Sequence, residues 1–91
     1  QYLTPEDRVV AAEIHRTLQA MRERLQAGVT RSVVEAEGEQ RLAQAGFAVD
    51  YAAVRSPDLS EPDDAPGPRV VLIAARLGRT RLIDNLEFTL G

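Results

Sequence analysis

No cysteine occurs in the 91 residues, which excludes disulfide scaffolds, thiolate zinc sites and cysteine nucleophiles. Lysine is absent too, since all eleven cationic side chains are arginine. Schiff-base lysines and the lysine of a phosphate-cradling P-loop are therefore excluded. His15 is the sole histidine, and no second histidine or cysteine can complete a metal set with it. It falls beside the apolar stripe of its helix and is expected at the surface. Serine occurs only at Ser32, Ser56 and Ser60, so no Ser/His/Asp arrangement can be assembled. Gly-x-Gly-x-x-Gly and P-loop patterns do not occur. Aromatic residues make up only 4% of the chain, and the core must be built from Val, Leu, Ile and Ala. No apolar run approaches the ~20 residues of a membrane-spanning helix, so no membrane partner is expected.

What is present suits one small globular domain. The hydrophobic share of 44% is ordinary for a folded protein. A chain this short buries about 60–65% of its unfolded surface, so its stability is modest. The net charge of −3 is unevenly spread. Asp58, Glu61, Asp63 and Asp64 give the stretch 56–68 a charge of −4, which leaves +1 for the rest. A body so near neutrality lacks the clustered positive charge that a nucleic-acid binder needs.

Thr4-Pro5-Glu6-Asp7 is a helix start: Thr4 can cap, Pro5 gives up no needed N–H, and the acids favour the positive helix end. Val10, Ile14, Leu18, Met21 and Leu25 then recur at helical spacing, and Gly28 stops the helix near Ala27. Thr30 or Ser32 can cap a second helix reaching about Ala45, with Val34, Gly38 and Leu42 on its stripe and Gly46 as terminator. Gly38 costs about 0.5–1 kcal/mol against Ala in a helix interior, which points to close approach of the first helix. So short a link predicts an antiparallel helical hairpin.

Past Gly46 the period changes to two. Phe47, Val49, Tyr51 and Ala53 alternate with Ala48, Asp50, Ala52 and Val54, which predicts a strand with one face inward. A Pro-rich, acidic loop follows over 56–68, long for so small a domain. Val70 to Ala75 is an almost unbroken apolar run, suited to a central strand. Gly78-Arg79 makes a tight reversal into a return strand from Arg81 to Leu90, where Asp84 interrupts the inward set and predicts a bulge or strand kink at Asp84-Asn85. The predicted fold is α+β, a two-helix hairpin packed on a three-stranded antiparallel sheet in the order ααβββ, all within one domain over 1–91.

Candidate chemistry is sparse. Glu35, Glu37 and Glu39 alternate along the second helix, so successive carboxylates point about 200° apart and converge on no cation. Asp63-Asp64 lacks the spacing of a calcium loop. Arg76, Arg79 and Arg81 are the exception. These guanidinium groups frame the last hairpin within six residues, a field suited to phosphate or carboxylate. The alternative is that they pair with acids of the same domain or face water.

The stretch Gln1-Tyr2-Leu3-Thr4-Pro5-Glu6-Asp7-Arg8, the strand Val49-Asp50-Tyr51, and Val71-Leu72-Ile73-Ala74-Ala75-Arg76-Leu77-Gly78 followed by Thr80-Arg81-Leu82-Ile83-Asp84-Asn85 together resemble the C-terminal domain of the pantoate–β-alanine ligases, the pantothenate synthetases. The resemblance implies a cytoplasmic ligase that uses ATP and Mg2+ to join pantoate to β-alanine through a pantoyl adenylate. It implies that this chain is the lid, hinged just upstream at a Ser-Ser-Arg-Asn stretch, and that its partner is an N-terminal Rossmann-like catalytic domain. Neither that stretch nor the family's His-x-Gly-His nucleotide motif occurs in these residues, so no catalytic residue, no metal ligand and no assured cofactor contact is carried over. Arg76, Arg79 and Arg81 remain the candidates for facing the interdomain cleft. The piece alone is expected to bind neither ATP nor Mg2+ and to catalyse nothing. Two other classes fit the same residues: a stand-alone interaction or dimerisation module, and a small regulatory ligand-binding domain.

Overall fold

The computed structural model describes residues 4–91; the Gln1-Tyr2-Leu3 part of the expected helix opening lies outside them. Helix α1, Pro5–Gln26, starts as the sequence requires. The Asp7 N–H donates to Thr4 Oγ1 and the Thr4 N–H donates to Asp7 Oδ2, both at 3.1 Å, which closes a capping box. Val10, Ile14, Leu18, Met21 and Leu25 are all buried, along with Thr17, whose hydroxyl donates to the Glu13 carbonyl at 2.9 Å. Helix α2, Arg31–Gln44, has Thr30 as its cap residue and buries Val34, Gly38 and Leu42. Both helices end in the same way. The N–H groups of Gly28 and Val29 reach back to Leu25 and Arg24, and those of Gly46 and Phe47 to Ala43 and Leu42. Each is a Schellman motif, and the glycine supplies the positive φ, +92° and +95° respectively.

The helices run antiparallel, with Arg24 beside Glu37 and Met21 against Gly38. A Cβ on Gly38 would lie 2.7 Å from the Met21 sulfur, which explains the glycine despite its helical cost. Met21 is flexible enough to retreat from one methyl but not from a branched side chain. Gly38→Ala should therefore leave stability within about 1 kcal/mol of the parent, and Gly38→Val should cost about 2 kcal/mol, both read from urea unfolding.

Strands β1 (Ala48–Arg55), β2 (Gly67–Leu77) and β3 (Thr80–Leu90) form an antiparallel meander in the order β1-β2-β3. The α+β order ααβββ is as predicted, and both helices lie on one face of the sheet. Val71, Ile73 and Ala75 of β2 face the helices with Ala52 and Val54 of β1, and Leu82, Leu86 and Phe88 of β3 pack alongside. Within the described residues no helix is long and apolar enough to cross a membrane.

Two local expectations change, and the facing of β1 is decided. The bulge lies not at Asp84-Asn85 but between Val49 and Tyr51, where the β1–β2 register slips by one residue at Asp50. Every β2–β3 pair from Gly67↔Leu90 to Leu77↔Thr80 is in step. Asp84 keeps its inward place because β3 is an edge strand, where the carboxylate stays half-exposed and accepts from the Asn85 N–H at 2.8 Å. The slip also reverses β1's faces past Asp50, because side chains alternate with a period of two. Ala52 and Val54 turn to the core, and Tyr51 turns to solvent at 41% exposure. Finally, β2 begins at Gly67, so the loop is two residues shorter than its composition suggested. Its anchor is Arg69, buried on the helix side, whose guanidinium donates to the carbonyls of Asp63, Ala65 and Pro68.

Candidate functional site at the hairpin tip and the open sheet face

The β2–β3 turn consists of Gly78 and Arg79, flanked by the pair Leu77↔Thr80. Gly78 has φ +60° and Arg79 has no positive φ, the signature of a type II′ turn. This turn fixes where the candidate arginines go. Arg76 and Arg81 are direct partners across β2 and β3, so their side chains leave the sheet on the same side. That side is the one the helices do not cover. Arg79 instead sits at the tip and lines a groove of about 550 Å³ with Thr4, Glu6, Asp7, Val9, Leu77 and Thr80. The structure thus brings two of the three arginines together and sends the third around the tip.

The groove is tied shut at its floor by one contact. The Thr80 hydroxyl donates to Asp7 Oδ1 at 2.8 Å, joining the first turn of α1 to the start of β3. The Thr80 hydrogen bond, with those from the Thr4 backbone and side chain, holds the Asp7 carboxyl below its ordinary range.

On the open face, rows cross all three strands. Tyr51, Ala74 and Ile83 form one row, and Ala53, Leu72 and Asn85 the next. Ala74 and Val70 are buried without a second layer over them, shielded by larger neighbours, whereas Tyr51 and Ile83 stand 41% and 56% exposed. Nearer the tip, two like charges opposite each other are unfavourable in a sheet. Arg81 is relieved by Asp50, with Nε and Nη2 contacts of 2.9 and 2.8 Å. The bulge delivers that carboxylate. Among the described residues Arg76 has no carboxylate partner.

Elsewhere, polar groups serve the fold. His15 is exposed. Glu35 is not simply solvated: it accepts from the Val54 N–H at 2.8 Å and from Arg55 at 2.9 Å, stitching α2 to β1. Glu37 takes a bidentate bond from Arg24, which lowers its pKa, while Glu39 stays exposed. Asp63 caps the Ala65 N–H at 3.0 Å. Among the described residues no group of His, Cys, Asp or Glu could hold a metal ion.

Two of these features escaped the sequence. The outward Tyr51 had one signal, an Asp in the middle of an alternating run. Arg69 had none, because nothing local marks an arginine inside an apolar strand for burial.

Comparison with known proteins gives a consistent result. The family model described as pantoate-beta-alanine ligase matches residues 1–87. A pantothenate synthetase of Xanthomonas campestris pv. campestris (strain B100) is 58% identical over 93 residues, covering 97% of this chain and 33% of the relative. One from Stenotrophomonas maltophilia (strain K279a) is 59% identical over 88 residues, covering 97% and 32%. The crystal structure of pantothenate synthetase from Thermus thermophilus superposes with a TM-score of 0.77 at 36% identity, covering 93% of this chain and 32% of that one. The chain spans about a third of the length of the curated relatives it matches.

Proposed function

Because the chain belongs to the pantoate–β-alanine ligase family, we propose that it is the C-terminal lid of an ATP-dependent enzyme that condenses pantoate with β-alanine. Its partner is a nucleotide-holding, Rossmann-like domain in the same polypeptide, and the setting is cytoplasmic. In this reaction a pantoate carboxylate oxygen attacks the α-phosphorus of ATP and pyrophosphate leaves. The β-alanine amine then attacks the acyl carbon of the adenylate, loses a proton, and displaces AMP. Magnesium accompanies ATP in such chemistry, but the described residues offer it no ligand set, and no step here is assigned to it.

The lid's contribution follows from the intermediate. An acyl adenylate is consumed by any water that reaches it, so closure protects it and strengthens charge contacts in the dried cleft. One observation carries the proposal: residues 1–87 match the ligase family while the chain amounts to a third of its relatives. The cationic hairpin adds a physical means, since one or more of Arg76, Arg79 and Arg81 can approach the triphosphate on closure. Replacing all three by Gln in the full-length enzyme should raise the KM for ATP at least about tenfold, because a hydrogen bond to a charged group contributes ~1.5–3 kcal/mol. An unchanged KM and turnover would remove the arginines from the proposal.

A further inference from the structure

The two sides of the molecule differ in how their exposed apolar groups are arranged. On the helix side Arg16 pairs with Glu13 at 2.8 Å, Arg24 with Glu37 at 2.9 Å and Arg31 with Glu35 at 3.6 Å, whereas Arg8, Arg22 and Arg41 make no ion pair among the described residues. Exposed apolar groups there, Val9 and Val33, stand on different helices. On the open sheet face the apolar groups are continuous, running Tyr51–Ala74–Ile83 across all strands with Leu72 in the adjoining row. Its tip end carries the Arg76–Arg81 pair. Asp50 already offsets Arg81, while Arg76 has no carboxylate partner among the described residues, and the Arg81–Asp50 bridge is exposed enough to be exchanged for a stronger one. The bulge at Asp50 is what turns Tyr51 onto this face, and bulges commonly re-aim side chains near functional sites.

We infer that this helix-free face is the surface that seats on the nucleotide-holding part of the same polypeptide, with Tyr51 and Ile83 as apolar anchors. Arg76 and Arg81 lie over the phosphates of the bound ATP. The inference rests on the lid reading and deepens it by naming the face that closes and the two arginines that lead. Both features a closing lid needs, an apolar seat and a cationic edge with Arg76 unpaired among the described residues, occur together on this face. The charge is of the sign that a triphosphate recruits.

The test uses the full-length polypeptide. A benzophenone amino acid replaces Tyr51, Ile83 or, as the helix-side control, Val33, and the protein is irradiated with and without ATP. Tyr51 and Ile83 are expected to cross-link within the chain to upstream segments, with a yield that rises several-fold when ATP is present and far exceeds that of Val33. In parallel, Arg76→Gln and Arg81→Gln should each weaken ATP binding several-fold, and Arg16→Gln should not. Cross-links that join two copies would overturn the inference in favour of a dimer face. It fails equally if Val33 matches the sheet positions, if no cross-link forms, or if neither arginine change affects ATP binding. Failure here with intact pantothenate synthesis would leave the lid reading standing. Loss of that synthesis in the unmodified full-length protein would remove the lid reading itself.

Discussion

Ile73→Ala should unfold much of the population at temperatures where the parent chain is intact. Ile73 is wholly buried at the middle of the central strand, with Ala52 beside it and Asp84 across from it. Neither small Ala52 nor the half-exposed Asp84 can move in to fill a void. The lost side chain therefore costs its transfer energy plus a cavity that does not collapse, about 3–4 kcal/mol. A chain of this size has only roughly 5–14 kcal/mol in total. The midpoint of thermal unfolding should fall by about 15–25 °C. Ile83→Ala is the matched control, because Ile83 lies on the helix-free face at 56% exposure. It should cost less than about 0.5 kcal/mol, as surface changes usually do. Differential scanning calorimetry on both variants reads the contrast directly. Equal losses would mean that the sheet is covered on both sides, contrary to the two-layer fold.

Local chemistry made most of the fold legible. The Thr4 cap, the Val10-to-Leu25 stripe and the stops at Gly28 and Gly46 each act within a few residues, so the helices could be read directly. The order of strands and the Gly78-Arg79 turn were legible for the same reason. The strand faces were not, because they depend on a register set between segments far apart in the chain. In Val49-Asp50-Tyr51-Ala52-Ala53-Val54 either parity puts apolar groups inward, and only pairing with β2 decides. Asp84 looked like a bulge because an inward charge is costly in a central strand, but on an edge strand it is tolerated and discourages further pairing. The candidate arginines were legible as a cluster but not as a geometry. Placing Arg76 with Arg81 and apart from Arg79 requires the two-residue turn and an unbroken β2–β3 register.

Removing residues 4–91 from the full-length enzyme should lower pantothenate formation by about 10²-fold or more, the scale of loss expected when reacting groups are no longer held in place. Two effects combine. On the proposed lid reading, the arginine edge would no longer support the phosphates, which would slow adenylation, and water would reach whatever adenylate still forms. Soluble, folded protein after the deletion is a condition of the experiment, checked by circular dichroism and by the hydrodynamic radius. A lid defect and a simple loss of catalytic power then differ in what becomes of the ATP consumed.

The most direct measurement is the number of AMP molecules released per pantothenate formed, taken at saturating β-alanine. The intact enzyme should give a ratio near one, since every adenylate is captured by the amine. Without the lid the ratio should rise several-fold as hydrolysis diverts the intermediate. A deletion that slows both products equally and leaves the ratio at one would show that the segment does not shield the adenylate, and the lid account would be wrong.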